Sequence, residues 1–374
     1  MPTPSAATRT DLAVVGAGIL GLAHAAHAVR RGLDVTVVER DHRPVGASIR
    51  NFGHVCTTPQ AGRAREYALL AREEWLRLGE LAGFEVQRAG TVVVARSATE
   101  LAVLEELAAS RGTDEVSLLT PQGVRDHFPA ATDEVVGGAH LPRDLRVCPT
   151  EAVPALAAWL EERGVDFWWN THVGAITPCA VHTSRGDITA PYVVHATGHD
   201  LDRLFPDLAD AYDVRRCRLQ MLEVAPPGDV RIRPALLTGT SLLRYAAFVE
   251  QPSAATLRRE VEATHPELLE VVMNLMLTQR PDGSIVLGDT HHYDRTHLPF
   301  DDEDVAGLVL REGARLFGAE LSVRRRWRGV YADSPSTDFV IAAPHPGVRA
   351  VTVTSGIGMT TGLGLAASVL DELL

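Results

Sequence analysis

The feature that most constrains the fold of this chain is a glycine-rich turn between an apolar, β-prone run and a helical stretch near the N-terminus. Residues 11–39 read DLAVVGAGILGLAHAAHAVRRGLDVTVVE, with Gly16-x-Gly18-x-x-Gly21 after the first apolar run and Glu39 at the end of the second. A strand, this turn, a helix and a second strand ending in an acid about twenty residues on are the fingerprint of a dinucleotide-binding βαβ unit.

Each part of the motif has a physical reason. Gly16 permits the tight turn, Gly18 lets backbone N–H groups approach a pyrophosphate, and Gly21 lets the helix pack close to the strand. The helix N-terminus offers unpaired N–H donors and a positive dipole end to the phosphates, and Glu39 is expected to accept from ribose hydroxyls. The residues predicted to bind an adenine dinucleotide here are Gly16, Gly18, Ile19, Leu20, Gly21, Glu39 and Arg40.

Three later segments distinguish FAD from NAD, since both cofactors use the first fingerprint. Residues 46–53 read GASIRNFG, residues 189–198 read TAPYVVHATG, and residues 351–362 read VTVTSGIGMTTG. Together with the N-terminal motif they resemble the D-amino-acid oxidase family of flavoproteins, which includes glycine oxidase and sarcosine oxidase, over nearly the whole chain. Within that family, the run 47–53 is similar to a subgroup associated with phosphonate catabolism.

The resemblance implies FAD as the cofactor and places further segments around it. The loop after the acid runs beside the flavin, the Ala-Thr-Gly strand returns to the cofactor, and the C-terminal Gly-x-Gly faces the isoalloxazine ring. Sarcosine oxidase attaches its flavin through a cysteine in the segment corresponding to 326–331, where this chain has none, so noncovalent binding is expected. The contacts implied are Ala47, Ser48, Asn51, Phe52, Gly53, Val173 (at the adenine), Ala196, Thr197, Gly198, Gly356, Ile357, Gly358, Met359 and Thr360.

The fold implied is α/β, with a Rossmann-type FAD-binding domain interleaved with an α+β substrate domain built on a mixed sheet. The length of 374 residues fits two domains. Residues 1–83, 142–215 and 331–374 are assigned to the FAD-binding domain, and residues 84–141 and 216–330 to the substrate domain. No Pro/Gly/Ser linker separates them, as expected for interleaved domains.

Periodicity and turn residues predict the elements between the motifs. Helices are predicted over 61–81 and 98–110, from Pro149 to Arg163 with Thr150 as the cap, over 254–277, and over 362–373. Strands are predicted as a pair within 84–95 and over 137–141, 165–177, 217–224, 241–249, 285–288, 339–342 and 350–353.

Composition excludes several function classes. All 36 basic residues are arginine, so a Walker lysine and a lysine Schiff base are both impossible. The net charge of −12 argues against nucleic acid or an anionic membrane as a partner. Four separated cysteines (Cys56, Cys148, Cys179 and Cys217) indicate free thiols rather than a zinc site or redox dithiol, and no metal is expected.

The N-terminus predicts a cytoplasmic protein. Residues 1–11 contain no apolar signal region, and no hydrophobic run reaches the roughly 18 residues of a membrane span. Oligomeric state is left open.

For function, the resemblance implies hydride transfer from an amine-bearing carbon to flavin N5, giving an imine that hydrolyses, with molecular oxygen or another acceptor completing the cycle. Arg50 is the first candidate to clamp an acidic group of the substrate, because a guanidinium matches carboxylate or phosphonate oxygens. Bracing the flavin is its equal alternative. Arg244 and Tyr245 are a second candidate pair, with a structural salt bridge and a core tyrosine as the alternative.

Two family positions for binding a carboxylate differ here. Glycine and D-amino-acid oxidases carry a carboxylate-binding arginine in W-x-G-L-R-P, where this chain has Tyr331. Tyrosine at that position resembles sarcosine oxidase, whose C-terminal lysine corresponds to Thr360. His291 falls where relatives place a histidine near the substrate and could remove an amine proton. His54 follows the flavin loop directly.

These departures lead to an aminophosphonate, such as 2-aminoethylphosphonate or its N-methyl form, as the predicted substrate of an FAD-dependent amine oxidase or dehydrogenase. A glycine- or sarcosine-type amino-acid oxidase is the alternative. A non-catalytic FAD-binding subunit of a larger enzyme is an alternative of another class.

Overall fold

A computed structural model describes residues 8–374. Residues 1–7, on which the prediction of no export signal partly rests, lie outside this range. The strands are β1 (Thr8–Arg9), β2 (Leu12–Val15), β3 (Val35–Val38), β4 (His54–Val55), β5 (Val86–Gln87), β6 (Thr91–Ala95), β7 (Ser117–Leu119), β8 (Gly137–Leu141), β9 (Leu145–Val147), β10 (Asp166–Trp168), β11 (Val173–Thr177), β12 (Ala180–Thr183), β13 (Gly186–Thr189), β14 (Tyr192–His195), β15 (Arg215–Val224), β16 (Ala235–Leu237), β17 (Met276–Gln279), β18 (Ile285–Gly288), β19 (His292–Asp294), β20 (Val323–Asp333), β21 (Phe339–Ala342) and β22 (Val348–Val353).

Helices lie between these strands, and the periodicity predicts some of them but not the long helix Glu303–Phe317. They are α1 (Ile19–Arg30), α2 (Gly62–Ala82), α3 (Ala98–Arg111), α4 (Pro121–His127), α5 (Pro149–Glu161), α6 (Pro206–Ala211), α7 (Ala246–Val249), α8 (Ala254–Thr264), α9 (Pro266–Glu270), α10 (Glu303–Phe317) and α11 (Gly358–Leu373). Short 3₁₀ helices span Ala47–Ile49, Gly198–Arg203 and Gly239–Leu243.

The first large sheet has the strand order β10-β3-β2-β14-β22-β21, parallel except for the antiparallel pair β21–β22. Strands β2 (LAVV) and β3 (VTVV) are buried at every position, as expected for a parallel sheet covered on both faces. Its strands come from three distant parts of the chain. This confirms the Rossmann-type fold predicted from the glycine motif.

Helices α1, α2, α5 and α11 pack in one apolar cluster with this sheet. Trp75 of α2 is fully buried there and donates from Nε1 to the carbonyl of Met359 in α11, at 2.7 Å. Since α11 begins at Gly358, this bond fixes the first turn of the helix that faces the cofactor site described below. The helix predicted from Gly362 therefore starts one turn earlier.

The second large sheet has the order β19-β15-β18-β17-β16-β6-β8-β7, with β20 paired to the other edge of β15. Strands β6 and β16 are parallel and the other pairs are antiparallel, which confirms a mixed sheet. Apolar clusters cover both of its faces. Smaller sheets contain β1-β13-β12-β11 and β4-β9-β5. The residue boundaries proposed for the two domains stay a prediction.

Two predicted strands differ in the structure. The strand predicted over 165–177 is two strands, β10 and β11, in different sheets, because the chain turns at Asn170 with φ +51°. Apolar character alone does not indicate that turn. Residues 84–95 contain β5 and β6 as predicted, but the two pair with other strands rather than with each other.

Three further predictions need correction. The helix predicted over 254–277 ends at Thr264, because Pro266 cannot continue it, and Leu277 lies in β17 between two partner strands. The strand predicted over 241–249 is instead a 3₁₀ turn followed by α7, with Arg244 and Tyr245 at the junction. Cys148, not Thr150, is the cap residue of α5, because Pro149 occupies the first helical position.

No helix in residues 8–374 is long and apolar enough to cross a membrane.

The Trp75 contact yields a stability prediction. Trp75→Phe removes the hydrogen bond to Met359 and part of a fully buried ring, so the free energy of unfolding should fall by about 1.5–3 kcal/mol. Leu81→Ala, at a position 45% exposed on the same helix, should change it by no more than about 0.5 kcal/mol. Urea unfolding of the holoprotein measures both. Equal effects of the two substitutions would contradict the role given to Trp75.

Candidate active site

A cleft lined by residues of both large sheets contains almost every predicted site residue. It begins at the carboxyl ends of β2, β3 and β14 and reaches β15, β17 and β20. The predicted residues that line it are Gly16, Gly18, Ile19, Leu20, Glu39, Arg40, Ala47, Ser48, Arg50, Asn51, Phe52, His54, Val173, Ala196, Thr197, Gly198, Arg244, Tyr245, His291, Tyr331, Gly356, Ile357, Gly358, Met359 and Thr360. Gly21 and Gly53 do not line it.

The glycine turn has the geometry that the motif requires. Gly16 has φ +103°, and a Cβ there would lie 2.7 Å from the carbonyl oxygen of Ala196. A Cβ on Gly21 would collide with the Gly16 carbonyl, so this glycine serves the packing of α1 on the turn rather than a cofactor contact. Gly18 is the helix N-cap residue. The turn therefore presents backbone at the cleft where a side chain would obstruct a pyrophosphate.

Charged side chains line the cleft directly after β3. Glu39 accepts from the backbone N–H of Ala17 at 2.8 Å and of Asp41 at 3.1 Å, one with each carboxylate oxygen. Each oxygen keeps a lone pair for a ribose hydroxyl. Arg40 is ion-paired with Asp200 at 2.6 Å. Arg40 therefore has a partner within the protein, which the sequence does not indicate.

The loop after Glu39 is held by its own side chains. The Ser48 hydroxyl accepts from the N–H of Ile19 at 2.8 Å, so the loop contacts the start of α1. Asn51 donates to the carbonyls of Ala47 and Ser48 at 2.9 and 3.0 Å, and its Oδ1 accepts from Gly53 N–H at 2.7 Å. Gly53 has φ +71°. Asn51 and Gly53 thus shape the loop.

The C-terminal segment approaches the same cleft. Gly356 has φ +76°, and a Cβ there would lie 2.8 Å from the Tyr331 ring. The Thr360 hydroxyl accepts from the N–H of Cys56 at 3.2 Å and is fully buried. It therefore joins the first turn of α11 to the segment after the flavin loop. This arrangement, the glycine turn and Glu39 together fit an FAD.

Arg244 is a half-buried cation inside the cleft. Its Nη2 donates to the Tyr331 hydroxyl and to the carbonyl of Ser355, both at 3.2 Å. Within residues 8–374 no carboxylate lies within 4.0 Å of its guanidinium, so the expected alternative of a structural salt bridge does not apply. A cation partly removed from water without a counter-charge is costly unless a ligand supplies the anion.

His291 orients Arg244. Its Nδ1 donates to the carbonyl of Val272 at 2.8 Å, which leaves Nε2 as an acceptor 3.5 Å from Arg244 Nε. Burial, followed by the nearby charge of Arg244, lowers the pKa of His291 to about 3. A histidine with this pKa is a weak proton acceptor at neutral pH, which disfavours the role of base. The neighbouring His292 is exposed.

Two other predicted residues have different surroundings. Arg50 is exposed, and its Nη1 lies 3.5 Å from the carbonyl of Arg328. The ring of His54 faces away into a buried network, with Nε2 at 2.6 Å from Thr91 Oγ1, which in turn donates to Asp144 at 2.7 Å. The structure therefore groups Arg244, His291 and Tyr331 but does not bring Arg50 or the His54 ring nitrogens into contact with them.

Asn274 and Asp289 are among the polar residues of the cleft that sequence reasoning missed. Asp289 is 5% exposed, and burial raises its pKa to about 7 against the opposing charge of Arg244. A charged residue directly after the apolar strand IVLG is the available signal. His291 and His292, which follow it closely, are the more obvious candidates in the sequence because histidine is a common acid or base in active sites.

Comparison with known protein families and curated proteins shows what this chain is similar to. The family model described as FAD dependent oxidoreductase matches residues 11–372. Gamma-glutamylputrescine oxidoreductase of Escherichia coli (strain K12) is 27% identical over 223 residues, which cover 53% of this chain and 51% of that protein. One of the opine oxidase subunits of Rhizobium meliloti is 26% identical over 344 residues, which cover 85% and 81%. The match thus spans about half the length of the first of these relatives.

Solved structures share the fold over nearly the whole chain. L-proline dehydrogenase from P. horikoshii has a TM-score of 0.80 at 19% identity, covering 98% of this chain and 94% of that one. Iminodiacetate oxidase from Chelativorans sp. BNC1 has a TM-score of 0.76 at 18% identity, covering 97% and 96%. These likenesses confirm the predicted fold class.

The glycine turn yields a cofactor prediction. Gly18→Val places methyl groups where backbone donors meet the pyrophosphate, so the purified protein should lose its flavin absorbance. Gly307→Val is the matched control, because Gly307 lies on α10 and a Cβ added there would meet no atom within 4 Å. Full flavin occupancy in Gly18→Val would contradict the assigned position of the cofactor. Acid precipitation should release the flavin into the supernatant, and flavin in the pellet would contradict noncovalent binding.

Proposed function

The chain belongs to the DAO family of FAD-dependent oxidoreductases, and on that premise we propose that it oxidises a small primary or secondary amine that carries an acidic group. Bound FAD accepts two electrons from the carbon that bears the amine, and the resulting imine hydrolyses in water. The protein binds the acidic group, orients the amine-bearing carbon and excludes solvent. The proposed substrate is an aminophosphonate such as 2-aminoethylphosphonate or its N-methyl form.

The observation that carries this proposal is the uncompensated charge of Arg244. The guanidinium lies within the cleft beside Tyr331 and Ser355, and the neutral His291 supports it from a third direction. Arginine stays protonated in such a place, so an anionic group of a substrate completes the ion pair. This supports Arg244 over the exposed Arg50 as the anion-binding residue. Arg50 is left at the exposed rim of the cleft.

The surroundings of Arg244 favour a tetrahedral anion. The Tyr331 hydroxyl lies 3.2 Å from the guanidinium, so both groups can donate to oxygens of one ligand. Thr360 makes its hydrogen bonds with the segment at 54–56 and adds no cation. A phosphonate has three oxygens to share between the guanidinium and the phenol, whereas a planar carboxylate uses two.

A glycine- or sarcosine-type amino-acid oxidase is the second candidate, because the same guanidinium binds a carboxylate as a fork. A component of a multicomponent enzyme is the third, and it is supported by the match to an opine oxidase subunit over 85% of this chain. The three differ in which compound reduces the flavin and in which acceptor reoxidises it.

Anaerobic flavin reduction tests the substrate class. At equal concentrations, 2-aminoethylphosphonate or its N-methyl form should bleach the flavin faster than glycine, sarcosine or D-alanine. Reduction by glycine or sarcosine with no response to either aminophosphonate would refute the aminophosphonate and favour the second candidate. Absence of bleaching by every amine would favour the third. Peroxide on re-aeration would identify an oxidase.

A pair of variants tests the anion-binding residue. Arg244→Lys keeps the charge but loses the fork of two parallel N–H donors. kcat/KM for the substrate found above should therefore fall roughly 10- to 150-fold, which corresponds to a loss of about 1.5–3 kcal/mol of transition-state stabilisation. Arg50→Lys, at the exposed rim of the cleft, should lower kcat/KM by at most about fivefold. Flavin content should be unchanged in both. A larger loss in Arg50→Lys than in Arg244→Lys would reverse the assignment.

A further inference from the structure

Asp289 and Asn274 form an acceptor pair within the cleft. They lie side by side because each donates its backbone N–H to the other's carbonyl oxygen, both at 2.9 Å. Asn274 precedes β17 and Asp289 follows β18, two strands that are paired antiparallel. Both side chains line the cleft that contains Arg244.

Both members of the pair have an acceptor oxygen without a donor. In the described residues 8–374, Oδ1 of Asp289 and Oδ1 of Asn274 are buried and have no hydrogen-bond partner. The two residues are 5% and 3% exposed. A buried acceptor left unpaired costs about 1–3 kcal/mol, and a carboxylate costs more. Two such oxygens in a cleft are complementary to a ligand that carries several N–H donors and a positive charge.

The charges around Asp289 identify that ligand further. Arg244, Tyr245, Cys217 and His291 are the titratable groups that face it from neighbouring elements. Arg244 is not within 4.0 Å of it, and burial shifts the pKa values of His291, Tyr245 and Cys217 so that all three stay neutral. Asp289 is therefore an acid that the protein neither pairs with a base nor exposes to water.

We propose that Asp289 and Asn274 bind the protonated amino group of the substrate, and that Asp289 accepts a proton from it before the carbon is oxidised. The inference rests on the proposed function, since Arg244 holds the acidic group of the same molecule. A substrate with one anionic and one ammonium end matches the cation and the anion of the cleft.

The proton step is balanced within the site. An N–H bond of the ammonium breaks, an O–H bond forms on the Asp289 carboxylate, and no atom changes its oxidation state. The product is a neutral amine whose lone pair assists loss of hydrogen from the adjacent carbon to FAD. Burial raises the pKa of Asp289 to about 7, which brings its carboxyl group closer to the ammonium in proton affinity than an exposed aspartate would be.

The pH dependence has a definite sign. The wild-type enzyme needs charged Asp289 and an ammonium substrate, so the rate of anaerobic flavin reduction at low substrate should rise up to about pH 7, the pKa of Asp289, and then level off. In Asp289→Asn the substrate must arrive as the neutral amine. The rate should be about 10²- to 10⁴-fold lower than that of the wild-type enzyme. The logarithm of the rate should rise with unit slope against pH up to the pKa of the free amine.

Binding without turnover gives a second readout. Dithionite-reduced holoenzyme binds the amine but cannot oxidise it, so calorimetry can compare 2-aminoethylphosphonate with ethylphosphonate. At pH 7 wild-type protein should release about half a proton per site more with the amine than Asp289→Asn does, because the ammonium ionises an Asp289 whose pKa is about 7. Ethylphosphonate has no ammonium group, so any proton that its phosphonate releases on binding should be the same in wild type and Asp289→Asn. Asp294→Asn, an exposed residue on β19, is the matched control and should behave as wild type.

The outcomes separate this inference from the proposed function. If neither compound binds and no amine or amino acid reduces the flavin, the proposed function fails. If amines reduce the flavin but Asp289→Asn keeps the wild-type pH profile and proton release, only the role of Asp289 is overturned. In Asp289→Glu the rate of flavin reduction should again level off as the pH rises, as in the wild-type enzyme. A purely structural role of Asp289 would not produce this recovery.

Discussion

Val15, Val38 and His195 lie side by side at the ends of β2, β3 and β14, because the three strands are parallel and in register. Parallel strands end at one edge of their sheet, and ligands of such folds bind outside that edge. The close approach of Gly16 to the Ala196 carbonyl is possible only because Gly16 adds no side chain there. Three further segments reach this edge of the sheet, namely the loop after β3, the turn after β14 and the start of α11. The cofactor site is therefore assembled around this edge.

The second sheet and the segments attached to it contribute the polar groups that face the cofactor site. Arg244 and Asp289 are charges of opposite sign in one cleft, yet their side chains are not within 4.0 Å of each other in residues 8–374. Folding alone favours pairing or removing such groups. Their separation is explained when a dipolar ligand pairs with each of them. The neutral His291 then acts as a positioning residue for Arg244 rather than as a proton acceptor.

Sequence-based prediction succeeds best where one local rule determines the backbone. The glycine turn, the apolar strands β2 and β3 and the amphipathic helix α2 follow from spacing and composition alone. Residues 241–249 are misassigned because an apolar run of that length fits a buried helical turn as well as a strand. The prediction of a single helix over 254–277 does not take into account that Pro266 cannot continue a helix.

The site residues show the same division. Residues within the glycine motifs are found because the motifs constrain the backbone, whereas the substrate residues depend on tertiary packing. The sequence favours Arg50 over Arg244 because Arg50 lies in the loop expected beside the flavin. Two features distinguish Arg244, its position within the cleft and its lack of a counter-charge, and both are visible only in the three-dimensional structure. Asn274 and Asp289 are fifteen residues apart in sequence and become neighbours only through the pairing of β17 with β18.

The most direct test is a crystal structure of the reduced holoenzyme with bound 2-aminoethylphosphonate. We predict phosphonate oxygens on the Arg244 guanidinium and the Tyr331 hydroxyl, and the amino group at Asp289 and Asn274. Phosphonate bound at Arg50, or an amino group directed away from Asp289, would contradict this assignment.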